Sequence, residues 1–391
     1  EAGFESRDIS IDFQRFGSYG RAINSLSVFF NAFLQGQDKM VREIKNRKVA
    51  MTAKLIGGIA IPSALLHLAN HDKEWYKQLP GWQRDLYWNF GIGEGKDFYI
   101  FRVPKPFELG LIFGTGTERM IEWAMSTDPK AGRKFMASVF KSLTPNMLPV
   151  AVQVPIEMKQ NKSIFFDRPI IPRDRENLLP EYQHSVYTTE IAKGLSQLLV
   201  QIPGARHLEV FSPAMIEHAV RGFTGGLGAY ALEYADKGLK AAGILPDDII
   251  PPAKTMADYP VVKAFVARYP SMSTSVIEEF YKEYNSLREF SQSFKTAIKD
   301  MDIEAAEDIF KEQQLTGNVI TLGGFQRAIG NYSRMIRKIH KLPMLEGMTR
   351  EQLQQFKREQ IDNYYLMANQ IAQAGIDLAR QSRKQLQLDE E

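Results

Sequence analysis

The feature that most constrains this chain is a long run without charge. Between Lys54 and Asp72 no side chain carries a formal charge, and most of the run is Leu, Ile, Ala and Gly. As a helix rising ~1.5 Å per residue it covers only ~25 Å, short of the ~30 Å hydrocarbon core of a bilayer. Pro62 falls in its middle, where the ring presses on the carbonyl of Gly58 four residues back. Residues 49–70 therefore predict a kinked helix buried on all sides, with Leu55, Ile56, Ile59, Ile61, Leu65 and Leu66 in a protein core. Insertion of that helix into a membrane is the alternative. Just upstream, Lys39, Arg42, Lys45, Arg47, Lys48 and Lys54 are set against Glu43 alone. A solvated helix face explains such a segment; lipid headgroups or nucleic-acid phosphates would also suit it.

A chain of 391 residues with 44% hydrophobic side chains can bury a substantial core. The net charge of +3, from 49 basic and 46 acidic residues, sets up no whole-molecule field that demands a polyanion. With no cysteine, disulfides, thiolate metal ligands and thiol catalysis are excluded. The chain opens Glu-Ala-Gly-Phe, with no initiator Met, basic n-region or apolar h-region, and is read as a fragment of a longer protein.

Along the chain the dominant signal is helical. Thr188 opens a helix that stops before Pro203, and Ser212 with Pro213 opens a second that runs to Gly243. That second helix contains Gly222, Gly225, Gly226 and Gly228, each costing about 1 kcal/mol against alanine, which predicts a close approach or a bend. Asp128 with Pro129 and Thr144 with Pro145 repeat the opening device. Aromatic residues around a Gly-rich turn predict a β-hairpin near 85–103, and 164–181 reads as an extended strap. Pro246, Pro251, Pro252 and Pro260 mark a linker over 246–260. Beyond it, Ser275 with Glu278 and Thr349 with Gln352 form capping boxes. The second precedes an apolar stripe of Leu353, Phe356, Ile361, Tyr364, Met367, Ile371 and Leu378, narrow enough to need a partner helix. The expected fold is mainly α: a multi-helix body over 1–245 with one small hairpin and extended straps, the linker, and a helical assembly module over 261–391.

Candidate chemistry is thin. His67 and His71 share a helix face beside Asp72, but Leu68 stands where a zinc protease carries glutamate and a third ligand is missing. Glu5 followed by Ser6 lacks the residues that accompany the catalytic pair of lytic transglycosylases, and Gly222 to Gly228 fits neither a dinucleotide fingerprint nor a P-loop. No catalytic residue, cofactor or metal is assigned, and no small-molecule substrate is expected.

Six phrases, taken in order, resemble a known family: 29–36 (FFNAFLQG), 100–108 (IFRVPKPFE), 113–119 (FGTGTER), 165–172 (FFDRPIIP), 212–228 (SPAMIEHAVRGFTGGLG) and 259–270 (YPVVKAFVARYP). Together they resemble a large polyvalent protein associated domain of giant phage proteins, over roughly residues 4–270. The resemblance implies a helical segment of an internal virion or ejection protein of a short-tailed phage. Such a segment is housed in the virion interior and, after ejection, in the host periplasm or inner membrane. The implied partners are sister copies, other internal virion proteins and, in the alternative reading, the host inner membrane, with non-specific contact to genomic DNA. The family offers no catalytic residue to carry over.

Overall fold

The computed structural model describes residues 38, 41–95, 98–106, 109–126, 150–164, 166, 168–246, 249–259, 261–314 and 319–389. Among these the fold is mainly α, with short strands only. The expectations for residues 29–36, for Glu5 and Ser6, and for the helix openings at Asp128 and Thr144 lie outside the described residues. The chain divides into two units: 1–72, 82–90 and 102–242 in the first, and 73–81, 91–101 and 243–391 in the second.

In the first unit, α1 (Lys48–Leu55) passes through a π-helical turn (Ile56–Ala60) into α2 (Ile61–Asn70). The kink expected from Pro62 takes this form. The Ile61 N–H bonds five residues back to Ile56 O, and the widened turn accommodates a proline that has no N–H to give. Within this part of the chain, α3 (Glu74–Lys77) belongs to the second unit and α4 (Gly81–Leu86) falls almost wholly in the first. A second π-helical turn, Gly110–Thr115, leads into α5 (Gly116–Ser126). The unit continues with α6 (Val150–Lys159), α7 (Glu190–Leu199) and α8 (Pro213–Ala241).

The N-terminus of α7 is held in two ways. Thr189 caps it by accepting from Ala192 N, and two carboxylates of α8 take further donors. Glu217 accepts from Thr189 N and Oγ1 at 2.8 and 2.9 Å, and Asp236 accepts from Ile191 N at 3.0 Å. Negative groups at a helix N-terminus also answer its dipole. Ser212 caps α8 as expected. Within α8, Gly225 departs from helix at φ +66° and bends the element. Between β3 (Lys162–Ser163) and β4 (Arg168–Pro169) there is a two-residue antiparallel pairing, so the stretch read as a strap holds one short ladder.

The expected hairpin is present as β1 (Tyr87–Ile92) and β2 (Tyr99–Pro104), joined by a third strand that the sequence reading did not anticipate. After α9 (Val262–Phe265), β5 (Val266–Arg268) pairs antiparallel with β2, Tyr99 opposite Arg268 and Phe101 opposite Val266, giving the order β1-β2-β5. Beneath it in the second unit Trp75, Tyr76, Leu79 and Ile100 form a small core with Phe98, Ala267 and Tyr269.

The main core of the second unit is built by α10 (Ser275–Lys299), α12 (Val319–His340) and α13 (Arg350–Asp389), with α11 (Ile303–Gln314) beside α10. Thr274, one residue earlier than expected, caps α10 by accepting from Ile277 N. The Thr349–Gln352 box is present in both directions, at 2.8 and 3.2 Å. On α13 the residues facing the core are Leu353, Ile361, Tyr365, Ala368, Ala372, Ile376 and Ala379. Small side chains here admit a large neighbour: a Cβ on Gly375 would stand 2.7 Å from the ring of Phe280, which is fully buried on α10. Of the stripe expected to seek a partner, Leu353 and Ile361 are buried in this core, Phe356, Tyr364, Ile371 and Leu378 are half-buried, and Met367 is exposed. Part of the stripe thus packs within the same chain, Ile361, Tyr364 and Ile371 against residues of α10 and α12, while Met367 stays exposed.

Nor is the proline-rich stretch a free linker where it is described. Ala253 N donates to Gln354 O at 2.9 Å, and Arg358 binds Ala253 O and Asp258, each at 2.7 Å. The fully buried Lys357 spends its ammonium on three carbonyls, Ile250, His340 and Leu342, at 2.8, 3.1 and 2.7 Å. Prolines, lacking N–H donors, leave carbonyls in need of partners, and two adjacent cations on α13 supply them.

Candidate functional site

The helix that dominates the sequence also has the most unusual surroundings. It is not buried on all sides, which corrects the core-helix expectation. The residues facing inward are Leu55, Ile59, Ser63, His67 and Asn70, spaced four, four, four and three apart. Of the side chains expected in a core, Leu55 and Ile59 are buried, Leu66 is half-buried, and Ile56, Ile61 and Leu65 are exposed, Leu65 to 62%. Leu68 is exposed as well. Over α2 the ordinary pattern is thus reversed: the polar stripe faces the protein and the apolar stripe faces outward. The π-helical turn keeps each stripe in line across the kink, since one extra residue per turn carries Ile56 onto Ile61.

The inward stripe is polar because a polar network lies beneath it. Trp88 Nε1 donates to Ser63 Oγ at 2.7 Å, and Asn70 Nδ2 donates to Asn89 O at 3.1 Å. Asn89 is itself held by Gln83, which donates to its Oδ1 at 3.0 Å. Arg102 reaches Gln83 at 3.3 Å and lies over the rings of Trp82 and Tyr87, 5.5 and 5.1 Å from their centroids. Gly114 lets the second π-helical turn approach, because a Cβ there would stand 2.8 Å from Ser63 Oγ.

Further along sit three cations and three carboxylates. Lys105 Nζ donates to Glu118 at 2.8 Å, to Thr115 Oγ1 at 3.0 Å and to Arg84 O at 3.1 Å, with the ammonium and the carboxylate both buried. Arg119 bridges Asp85 and Glu122, each at 2.7 Å, and Arg84 also pairs with Glu122. Burial pushes Lys105 down and Glu118 up from their ordinary values, against the attraction of each for the other. Burial also works to raise Glu122, but Arg84 and Arg119 outweigh it and hold the carboxyl down at about 2. The formal charges cancel, and a network of this kind specifies one arrangement more than it adds stability.

The expected headgroup or phosphate ligands divide. Lys45, Arg47, Lys48 and Lys54 are exposed around the start of the apolar helix; Arg42 is half-buried and pairs with Asp38 at 3.1 Å; Lys39 lies outside the described residues. No carboxylate occurs between Glu43 and Asp72. The histidines are adjacent, with ring centroids 5.9 Å apart, and His71 turns to Asp72 at 3.2 Å. Among the described residues no group of three or more His, Cys, Asp or Glu is placed to hold a metal ion.

The four glycines have different roles. Only Gly222 meets a neighbouring helix, where a Cβ would stand 2.4 Å from Val154 on α6. Gly225 makes the bend, a Cβ on Gly226 would meet the Tyr230 ring at an ordinary 4.0 Å, and Gly228 abuts only Thr224, one turn back. The expectation of close packing at all four is corrected to one, and that of a bend is met at another.

Sequence reasoning did not assign the network, yet part of it stands in the phrases noted for their resemblance: Lys105 in 100–108, and Thr115, Glu118 and Arg119 in 113–119, with Arg84, Asp85 and Glu122 outside them. A lysine between two prolines and a Glu-Arg pair after a Gly-Thr-Gly-Thr turn were the available signal.

Residues 73–262 match the family described as Large polyvalent protein associated domain 38, so the resemblance drawn from the phrases holds over that segment, just under half of the chain. The match takes in the carboxylates and cations of the network but stops short of the apolar helix, α10 and the later helices. No curated protein and no solved structure matches the chain.

Proposed function

We propose, on the premise that residues 73–262 are a large polyvalent protein associated domain, that this chain is a structural segment of a phage internal virion protein. In this reading it helps build the conduit for genome delivery across the host envelope, and it works at a membrane. The domain family supports the phage setting. The observation that carries the membrane part is the outward apolar face of Ile56, Ile61, Leu65 and Leu68, bordered by exposed Lys45, Arg47, Lys48 and Lys54. Among the described residues, Lys48–Asn70 is the one helix long and apolar enough to cross a bilayer. An apolar face exposed among the described residues, next to Lys45, Lys48 and Lys54 and to Arg47, which pairs with Glu43 at 4.0 Å, suits an anionic lipid surface. Sister copies and other internal virion proteins remain the proposed protein partners, and the role is structural, not catalytic.

Flotation with phosphatidylglycerol-containing liposomes tests the proposal. The protein is expected to float with the vesicles and to stay bound in high salt. The double variant Leu65→Asp, Leu68→Asp should lose that binding with an unchanged circular dichroism spectrum. A wild-type protein that stays at the bottom of the gradient refutes the membrane reading.

A further inference from the structure

Resting on that reading, we infer that Lys48–Asn70 lies in the plane of the bilayer, its apolar face sunk into one leaflet while its polar stripe stays docked on the folded unit, and that it does not cross. Length alone points the other way, since 23 helical residues span ~34 Å and suffice for a crossing. The polar stripe decides against it. To be surrounded by lipid, the helix would have to release Ser63 from Trp88 and Asn70 from Asn89. It would then carry Ser63, His67 and Asn70, all buried against protein here, into hydrocarbon that offers no hydrogen-bond partner.

The underlying network would be opened too. His67 lies within electrostatic reach of Arg84, Arg119 and Glu122, and Gly114 closes on Ser63. A helix sinking sideways breaks none of these contacts. Ile56, Ile61, Leu65 and Leu68 already point away from the protein, so lipid can take the place of water with the fold intact. The charges fit the same geometry. The cations at Lys45, Arg47, Lys48 and Lys54 gather at the start of the helix, where a shallow helix keeps them among anionic headgroups. On the neighbouring helix α5, Met120 and Trp123 are exposed as well.

The absence of cysteine makes the test direct. Single cysteines at Ile56, Ile61, Leu65 and Leu68, all exposed positions, would be nitroxide-labelled in the full chain and bound to phosphatidylglycerol-containing vesicles. Collision with oxygen against a water-soluble nickel chelate then reports the depth of each label. The expected result is a similar shallow depth at all four, about 5–10 Å below the headgroups. A profile deepest at Ile56 and Ile61, with Leu65 shallower and Leu68 close to one interface, would overturn the inference in favour of a crossing. Labels that stay in water on vesicle-bound protein would overturn it while leaving membrane association standing. Labels immobilised and shielded from both reagents would assign the face to a protein partner or a second copy and overturn it likewise. Failure to bind vesicles at all refutes the proposed function itself, and this inference falls with it.

Discussion

Gly222 and Gly226 stand one turn apart on α8 and are predicted to respond in opposite directions. At Gly222 a methyl group meets the buried, β-branched Val154 at 2.4 Å, so Gly222→Ala should cost about 1–3 kcal/mol in urea denaturation. At Gly226 the added methyl meets only the Tyr230 ring, at an ordinary 4.0 Å, and Gly226→Ala should gain up to ~1 kcal/mol. Equal effects would mean that α6 and α8 are not packed as described. His340 gives a prediction in pH. Burial, helped by Arg268, Lys357 and Arg358, pushes its imidazole down from 6.5 to about 4. Below pH 6.5 the unfolded chain takes up a proton that the folded chain refuses. The second unit should therefore lose stability as pH falls from 6.5 towards 4, by about 3 kcal/mol in all. Replacing His340 with leucine should flatten that slope in denaturation curves recorded across the range. At this scale the caps at Ser212 and Thr349 were legible and that of α7 was read one residue early, at Thr188 for Thr189, because each acts on an amide three residues away. The partner of Gly222 was not, because Val154 is remote in sequence.

The same limit governs whole elements. The charge-free run announced a helix and Pro62 announced its kink, but composition does not say which side of a helix the rest of the chain will cover. On α2 the fold covers the side with Ser63, His67 and Asn70. On α13 the sequence reading followed bulky residues such as Tyr364 and Met367, whereas the core takes the face of Ala368, Ala372 and Ala379, where small side chains let Phe280 come close. The buried Lys105–Glu118 pair gives this scale its prediction. Lys105→Met alone leaves a buried carboxylate without its cation, and Glu118→Leu alone leaves a buried ammonium, so each should cost about 3–5 kcal/mol. The double variant removes both charges and should recover most of that loss. A double variant as unstable as the sum of the singles, in the same denaturation assay, would show that Lys105 and Glu118 are not energetically coupled and would refute the buried pair.

For the molecule as a whole, the proline-rich stretch suggested a place to cut, and the two units make that cut informative. The second unit is discontinuous: it gathers 73–81 and 91–101 with 243–391. Prolines are visible in the sequence, but the cations Lys357 and Arg358 that hold Ile250 and Ala253 lie on the far side of four helices, α9 to α12. A chain ending at residue 260 loses β5, and with it the partner of Tyr99 to Phe101. It also loses Ala267 and Tyr269 from over Ile100, and Ser275, whose N and Oγ donate to Gln78 O at 3.0 Å and Lys77 O at 2.8 Å. Trp75, Tyr76 and Leu79 would then face water beside an unpaired strand, a combination that promotes association. Residues 1–260 alone are therefore expected to aggregate. If kept in solution at low concentration, they should lose hydrogen-exchange protection over 75–79 and 99–101 while α7 and α8 keep theirs. Such a split follows if each unit opens as its own cooperative block. Protection over 99–101 equal to that of the full chain would show instead that β2 is held without β5, and that the stretch after residue 260 can be removed as a separate module.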